Sequence, residues 1–455
     1  KALGSDRARP VPTPPRWASP GAKMLGAPPA RPRRLLPASV LPRTALIALL
    51  CSASLRGGAS QQDMLGANGN SAYSAADDVA RLPPERQARL KNFIQIWTSS
   101  STLMAKYMKQ KAEDPSSDPK PLLSKAARRL KKLDQAMVGT YADEAGQLRF
   151  RAEAERIVFT GVLAKCAKAF EDLHDYRLEA AYAERCLAFD TCSVEVEGKE
   201  EAALRMCAGH YYNRLIIIYR HHLGLPHHAT YWYEKALVAE VNGKRLHPWP
   251  NEWHIGLDFR PGLKSQPYWE SGDRPALAAF LEEHYPTIKA EFLKLHEHPK
   301  YAKHWPQDNY YLTSEGDWSK LDVFQGTQLT QVCKAMPQTC QLLQSRPEVT
   351  AEPPDQLAHG GHRPQQNGVA LFRLRPGSRL KPHTGPANYR LYCHLGLVVP
   401  PGPWLRVGPG EPREWREGGA LCFDDSYVHE AWHNGTEDRY VMMVSYWHPD
   451  LAASE

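Results

Sequence analysis

The segment PHTGPANYRLYCHLGL, residues 382–397, combines a glycine- and proline-rich turn with a run of alternating residues. Over residues 389–399 the alternation puts Arg390, Tyr392 and His394 on one face of a predicted strand and apolar residues on the other. Such a strand packs its apolar face on a core, and its polar face points away from that core. The segment therefore predicts a β-sheet that carries polar side chains on one side.

The surrounding sequence predicts further strands of the same sheet structure. After Val241 tryptophans become dense, and short alternating runs are separated by glycine and proline, which is typical of a β-rich domain. Residues 369–383 contain a turn signal at Pro376-Gly377, and residues 439–446 alternate around Arg439.

Two histidines, His383 and His429, are candidate metal ligands. A ferrous site needs neutral imidazoles and open coordination positions, and it usually includes a carboxylate two residues after the first histidine. Gly385 occupies that position here. The histidine pair alone therefore leaves open an ordinary polar role for both residues.

The wider set of motifs resembles the aspartyl/asparaginyl β-hydroxylase family over residues 246–451. The motifs occur in the order expected for that family: GLKSQP (262–267) with Trp269, PHTGP (382–386), NYRL (388–391), HLGL (394–397), FDDS (423–426), His429-Glu430 with Trp432, and WHP (447–449).

The resemblance implies an α+β multidomain chain that ends in a double-stranded β-helix, or jelly-roll, oxygenase domain. It implies Fe(II) held by His383 and His429 without a carboxylate, with 2-oxoglutarate and O₂ as cosubstrates. It also implies that Arg439 binds the far carboxylate of 2-oxoglutarate, since an arginine fork suits a carboxylate. The other residues that match the family's cosubstrate pocket are His394, Trp318, Tyr392 and Arg390.

Two positions depart from the family pattern. Tyr392 stands where the family usually has arginine, and Phe372 stands where it usually has serine. Tyr392 can donate one hydrogen bond but carries no charge, and Phe372 can donate none. Arg373 and Arg390 are candidates for compensation. Near the second metal histidine, the Asp424-Asp425 pair can orient a ligand or form a surface turn, and both roles stay open.

The cysteines predict one disulfide. The resemblance implies a bridge between Cys333 and Cys340, in agreement with an oxidising compartment. Cys393 and Cys422 lie on predicted strands and are expected to be buried thiols. Residues 434–436 form an N-glycosylation sequon.

Residues 91–243 have helical spacing and few prolines, and they predict a helical domain. A first helical pair, with its turn at residues 173–176, and a second over residues 210–239 suggest tetratricopeptide-like repeats, with a generic helical domain as the alternative. His221, His222, His227 and His228 flank a helix end and are expected to be solvated or capping residues. The oxygenase domain is predicted over residues 244–455, and residues 61–90 are predicted to be a linker.

Residues 1–60 are predicted to be a leader. From Met24 a basic stretch precedes the apolar run of residues 44–55, which is typical of a signal peptide and too short to span a membrane. A plastid or mitochondrial transit segment is the alternative. Residues 1–60 hold ten of the 57 basic residues and one of the 50 acidic residues, so the rest of the chain is close to neutral. Electrostatic binding to nucleic acid is therefore not expected.

Together these features suggest a secretory-pathway enzyme of the endoplasmic reticulum lumen that hydroxylates the β-carbon of Asp or Asn in secreted or membrane protein domains. The same chemistry on a lipid acyl chain and an inactive binding protein on the oxygenase fold are the alternatives.

Overall fold

The structure is a computed structural model, and it describes residues 75–114, 117–195, 201–241, 244–245, 248–302, 305–306, 312–326, 328–352, 357 and 366–451. The predicted leader lies outside these residues, as does the first part of the predicted linker, up to residue 74. No described helix is both long enough and apolar enough to cross a membrane.

The N-terminal region of the described chain is helical. Its α-helices are α1 (Ala75–Ala80), α2 (Pro84–Glu113), α3 (Lys120–Tyr141), α4 (Glu153–Asp172), α5 (Tyr176–Ala188), α6 (Thr191–Glu195), α7 (Glu201–Ile217) and α8 (Pro226–Val238). Helices α1 and α2 begin inside residues 61–90, so the prediction of a linker over that whole range is wrong. Composition alone missed these helices. Helix α2 begins at Pro84, a residue favoured in the first turn of a helix, and it buries Leu90.

Helices α4 and α5 form a hairpin whose turn, residues 173–175, lies where the sequence predicts it. Asp175 caps α5 by accepting a hydrogen bond from the Leu178 N–H at 3.2 Å. Ala180 and Ala183 are buried, as expected for small residues that let a neighbouring helix approach. The hairpin fits a tetratricopeptide-like repeat, which stays a prediction.

A π-helix, Ile218–His222, continues α7 and ends before Gly224, whose φ of 65° favours glycine. His227 and His228 follow in the first turn of α8 and are exposed, as expected. His221 and His222 are partly buried instead, because the π-helix turns them toward the C-terminal region.

The C-terminal region is built on two antiparallel sheets. The strands are β3 (Thr313–Glu315), β4 (Trp318–Gln325), β5 (Gln328–Leu329), β6 (Gly368–Leu374), β7 (Arg379–His383), β8 (Arg390–Val398), β9 (Pro403–Val407), β10 (Arg413–Glu414), β11 (Ala420–Phe423), β12 (His429–His433) and β13 (Arg439–Trp447), after a short hairpin of β1 (Glu240–Val241) and β2 (Lys244–Arg245). One sheet has the order β10-β9-β12-β7-β3, and the other has the order β11-β8-β13-β6-β4-β5.

Helices cover the outer face of the six-stranded sheet. They are α9 (Ala276–Glu283), α10 (Tyr285–Glu297), α11 (Pro299–Ala302), α12 (Val332–Ala335), α13 (Pro337–Gln344) and α14 (Pro347–Thr350). On β8, Leu391 and Leu395 belong to the core beneath these helices, while Tyr392 packs in the core between the two sheets. The predicted alternation of β8 is therefore confirmed. Two facing antiparallel sheets with a core between them form the jelly-roll arrangement.

Three disulfides occur among the described residues. The predicted bridge between Cys333 and Cys340 is present, and a second bridge joins Cys192 to Cys207. Cys393 and Cys422 also form a disulfide, so the expectation of buried thiols is wrong for this pair. The two residues face each other across the β8–β11 pairing, with Cα atoms 4.0 Å apart, which brings their side chains within bonding distance.

Candidate active site

The two candidate metal ligands meet at the point where β7 ends and β12 begins. His383 and His429 are register partners in the antiparallel pairing of these strands, and their ring centroids lie 4.2 Å apart. Residues 46 positions apart in the sequence are thus held side by side by the backbone hydrogen bonds of one sheet.

Backbone carbonyls orient both imidazoles. His383 Nδ1 lies 2.7 Å from the Lys381 carbonyl oxygen, and His429 Nδ1 lies 2.9 Å from that of Tyr427. Nδ1 therefore carries the donated proton, and the Nε2 lone pair of each ring is left for a metal. Burial lowers the pKa of both histidines, with the neighbouring His429 adding to the effect on His383, so both rings are neutral as metal ligation requires.

Asp425 occupies the space beside Gly385. A Cβ atom at residue 385 would lie 1.9 Å from Asp425 Oδ2, and the Gly385 N–H donates to the Asp425 carbonyl oxygen at 2.6 Å. Asp425 is partly buried, and desolvation raises the pKa of its carboxyl well above the usual range despite the opposing charge of Arg390. The absence of a side chain at residue 385 is therefore a packing requirement of this site.

Arg439 is the buried cation of the site. It is 2% exposed, its guanidinium lies 4.4 Å from the centre of the Trp415 ring, and its Nε and Nη1 lack hydrogen-bond partners within the described parts of the chain. Burial lowers the pKa of Arg439 to about 9. A buried guanidinium with free donors is a site prepared for an anion, because leaving it unpaired is costly.

His394 and two aromatic side chains line the space beside Arg439. His394 stacks on Trp415 with ring centroids 6.1 Å apart, and no described residue hydrogen-bonds its Nδ1. Trp318 stacks on Phe372 at 5.1 Å. Phe372 thus extends an apolar wall at the position where a serine hydroxyl would have faced the pocket.

Arg390, Tyr392 and Asp425 interact with one another. Arg390 donates to the Tyr392 hydroxyl at 2.8 Å, and the Tyr392 hydroxyl bonds to the Asp425 carboxylate. The guanidinium of Arg390 is therefore already hydrogen-bonded to a side chain of the cavity.

All seven site residues that the sequence predicts line one cavity of about 470 Å³: His383, His429, Arg439, His394, Trp318, Tyr392 and Arg390. Phe372 and Asp425 also line it, whereas Asp424 does not. Arg373, the other candidate for compensation, points away from the cavity and bonds to Ser319 at 3.1 Å and Asp317 at 3.2 Å.

Asp424 belongs to a buried network beside the site. It accepts from Ser426 at 2.6 Å and lies 3.3 Å from His254 Nε2, while the other ring nitrogen of His254 lies 2.8 Å from Ser265 Oγ. Asp424 is buried, so the surface-turn interpretation is wrong for Asp424, whereas Asp425 is partly buried, lies in a turn and lines the cavity. The network fixes the loop that leads into His429.

The sequence did not reveal two contributors to the site. Trp415 carries no motif and comes from the irregular segment between β10 and β11. Asn213 of α7 bonds to the Thr384 hydroxyl at 2.9 Å and to the Ile255 carbonyl at 2.9 Å. The helical region therefore contacts the loop that follows the first metal histidine.

The residues present fit a metal and an anionic cosubstrate. Two neutral imidazoles present free nitrogens to one cavity, which also holds the Arg439 guanidinium, whose Nε and Nη1 have no partner in the part of the chain that the structure describes. Within the described residues no cluster of three or more His, Cys, Asp or Glu residues is placed to hold a metal. A metal at this site would therefore have two protein ligands and keep its other positions open for small molecules.

Residues 282–449 match the family model described as aspartyl/asparaginyl beta-hydroxylase. The human aspartyl/asparaginyl beta-hydroxylase is 35% identical over 231 residues, which cover 50% of this chain and 28% of that protein. The mouse aspartate beta-hydroxylase domain-containing protein 2 is 33% identical over 220 residues, covering 47% of this chain and 60% of that protein. The chain thus spans less than two thirds of these relatives.

Among solved structures, a Pseudomonas putida prolyl-4-hydroxylase is 11% identical, with a TM-score of 0.24 over 38% of this chain and 98% of that chain. A 2OG-Fe(II) oxygenase family oxidoreductase from Burkholderia pseudomallei is 14% identical, with a TM-score of 0.22 over 30% of this chain and 71% of that chain. The assignment of the fold rests on the two facing sheets described above.

Proposed function

Residues 282–449 belong to the aspartyl/asparaginyl β-hydroxylase family, and from this premise we propose that the chain is an Fe(II)- and 2-oxoglutarate-dependent dioxygenase. The proposed reaction hydroxylates the β-carbon of an Asp or Asn residue in a protein domain of the secretory pathway. The observation that carries the proposal is the unpaired guanidinium of Arg439 in the same cavity as two neutral, adjacent imidazoles.

Six residues of the cavity have proposed roles. His383 and His429 hold the metal through Nε2, because their Nδ1 atoms are engaged by backbone carbonyls. Arg439 binds the far carboxylate of 2-oxoglutarate, and His394 lies beside it to position the keto-acid end. The stacked Trp318 and Phe372 keep water from one wall. When bound, iron with 2-oxoglutarate and O₂ supplies the oxidising power needed to hydroxylate an unactivated C–H bond.

The secretory pathway is supported by the disulfides. Oxidising compartments maintain structural disulfides, whereas the cytosol keeps most thiols reduced. Three bridges in one chain therefore favour a lumenal or extracellular environment. The contact of α7 with the loop after His383 supports a polypeptide substrate, because a segment bound along the helical region would lie close to the metal loop.

A binding protein without turnover is the second candidate. Tyr392 and Phe372 favour it, because neither supplies a positive charge for a carboxylate. Among the residues the structure describes, Arg439 is then the one guanidinium of the cavity without a hydrogen-bonded side chain. A lipid acyl chain is the weaker alternative, because charged and hydrogen-bonding side chains line the cavity beside the apolar ones.

Anaerobic calorimetry tests the proposal. The protein is loaded with Mn(II) or Fe(II) and titrated with 2-oxoglutarate, beside a His383→Ala/His429→Ala double variant. We expect metal-dependent binding that the double variant loses. Absence of binding in folded, metal-loaded protein would overturn the dioxygenase and favour the binding protein. If binding occurs, conversion of 2-oxoglutarate to succinate in the presence of peptides that contain Asp or Asn then tests turnover.

A further inference from the structure

A second cavity, of about 250 Å³, lies between the five-stranded sheet and the helical region. Strands β7, β9 and β12 line it on one side, and Tyr176 of α5 with the π-helix lines it on the other. Leu380 and Ala431 line both this cavity and the catalytic one. We call this second cavity the interdomain cavity. Strands β7 and β12 separate it from the proposed metal site.

The charged lining of the interdomain cavity is mainly basic. Arg379, Lys381 and Arg406 line it, and Glu430 is the acidic residue among its described lining residues. Glu430 is already paired with Arg406, and Arg379 lies 3.4 Å from Glu315. Lys381 is left as the surplus positive charge.

Lys381 is buried without a partner. It is 3% exposed, and across the described parts of the chain no atom hydrogen-bonds or ion-pairs with its Nζ. Glu171 and Glu179 of the helical region act on it electrostatically, but each has a closer cation. Glu179 lies 2.7 Å from Arg214, and Glu171 lies 3.1 Å from Lys168. Because an isolated buried ammonium is costly, this arrangement calls for a compensating anion.

Two histidines add unused polar atoms to the same cavity. The His222 ring stacks on Tyr176 with centroids 3.6 Å apart, and the His221 ring meets Trp253 edge-on at 5.2 Å. The Nε2 atom of each ring is buried, and neither has a hydrogen-bond partner among the described residues. Stacking fixes the rings and leaves one nitrogen of each available as a donor.

We propose that the interdomain cavity binds a small oxyanion such as phosphate or sulfate, with Lys381 supplying the charge and His221 and His222 donating hydrogen bonds. The cavity has room for it, since 250 Å³ is several times the roughly 30 Å³ that one water occupies in the liquid. The bound oxyanion bridges the helical region and the strand that ends at His383. This site requires neither iron nor 2-oxoglutarate, so it stands apart from the proposed reaction.

Thermal unfolding of the full chain, in a chloride-free buffer with no other oxyanion, tests this site. Inorganic phosphate, sulfate and acetate are titrated separately, so that the tetrahedral anions are compared with a carboxylate. We expect a saturable rise in the unfolding temperature with phosphate or sulfate and at least a tenfold weaker response in Lys381→Met, which keeps the length of the side chain and removes its charge. Lys132→Met, at an exposed helical position, is the matched control and should respond like the wild type.

The Arg439→Met variant shows which of the two cavities binds the anion. If the response belongs to the interdomain cavity, this variant keeps it, whereas binding at the catalytic guanidinium would be lost. A response that survives in Lys381→Met, or one that does not saturate, overturns the proposal, as does a saturable response to acetate alone. Should Lys381→Met fail to fold, His222→Phe keeps the stacking on Tyr176 and removes Nε2, and calorimetry should then show weaker phosphate binding than in the wild type.

Discussion

The catalytic and interdomain cavities both contain a buried cation that has no hydrogen-bond partner among the described residues, but they are assembled differently. Arg439 lies inside the β-sandwich, where neighbouring strands also place His394, His383 and His429. Lys381 lies outside it, and its cavity needs side chains from two regions that are distant in the sequence. A cavity inside a sandwich can be inferred from strand alternation, whereas one between regions depends on how those regions pack.

The largest expected effect concerns the guanidinium. Arg439→Met should weaken 2-oxoglutarate binding to the Mn(II)-loaded protein by about 2–5 kcal/mol, or at least about 30-fold, because it removes the charged partner of a buried carboxylate. Calorimetry measures the change, and Lys381→Met is the control. Equal losses in the two variants would show that the cavities are not independent.

The disulfide behind the catalytic cavity gives the next effect. Cys393→Ala/Cys422→Ala should lower the free energy of unfolding by about 2–4 kcal/mol, as expected for loss of a native bridge. The Cys333→Ala/Cys340→Ala variant opens a bridge with a sequence separation of 7 rather than 29, so its loss should be about 1 kcal/mol smaller on the entropic model. Urea unfolding compares them.

Because β8 and β11 also carry Tyr392, His394 and Phe423, the first of these variants should weaken 2-oxoglutarate binding as well. Phosphate binding at the interdomain cavity should be unchanged in it. Weaker phosphate binding with unchanged 2-oxoglutarate binding would contradict the separation of the two cavities.

Gly385→Ala tests the packing of the metal loop. The new Cβ would overlap the Asp425 carboxylate, so we expect a loss of about 1–3 kcal/mol in the free energy of unfolding, typical of overpacking. Gly385→Ala/Asp425→Ala should recover part of that loss in a double-mutant cycle. Additive losses would mean that the two residues do not compete for space.

The smallest effect is a pH dependence of the interdomain cavity. Burial, with the charges of Arg214 and Lys381 beside it, lowers the pKa of His222 to about 3. Between pH 6.5 and 3 the unfolded chain binds a proton at this residue and the folded chain does not, so stability falls as pH falls. Urea unfolding without phosphate should show that His222→Phe reduces the loss between pH 7 and 5 by on the order of 1 kcal/mol. His228→Phe, at an exposed position, should leave the loss unchanged.

The sequence predicted local features of the fold well. Alternation gave the two faces of β8, and Pro376-Gly377 marked the turn between β6 and β7, where Gly377 has a φ of 75°. The Cys393–Cys422 bridge could not be predicted, because alternation does not say which residues of two strands are register partners. The sequence likewise did not indicate that Asp425 lies beside Gly385, since their contact depends on how two loops meet. Lys381 looked like any basic residue of a strand, and its surroundings include residues of the helical region that are distant in the sequence.

The close contact of Gly385 with Asp425 also constrains how this site can evolve. A change of Gly385 to aspartate would create the common His-x-Asp metal motif, yet the new side chain would enter space that Asp425 already fills. We therefore expect the order of substitutions to matter, with loss or shrinkage of Asp425 preceding any gain at residue 385. The two positions would then form an epistatic pair.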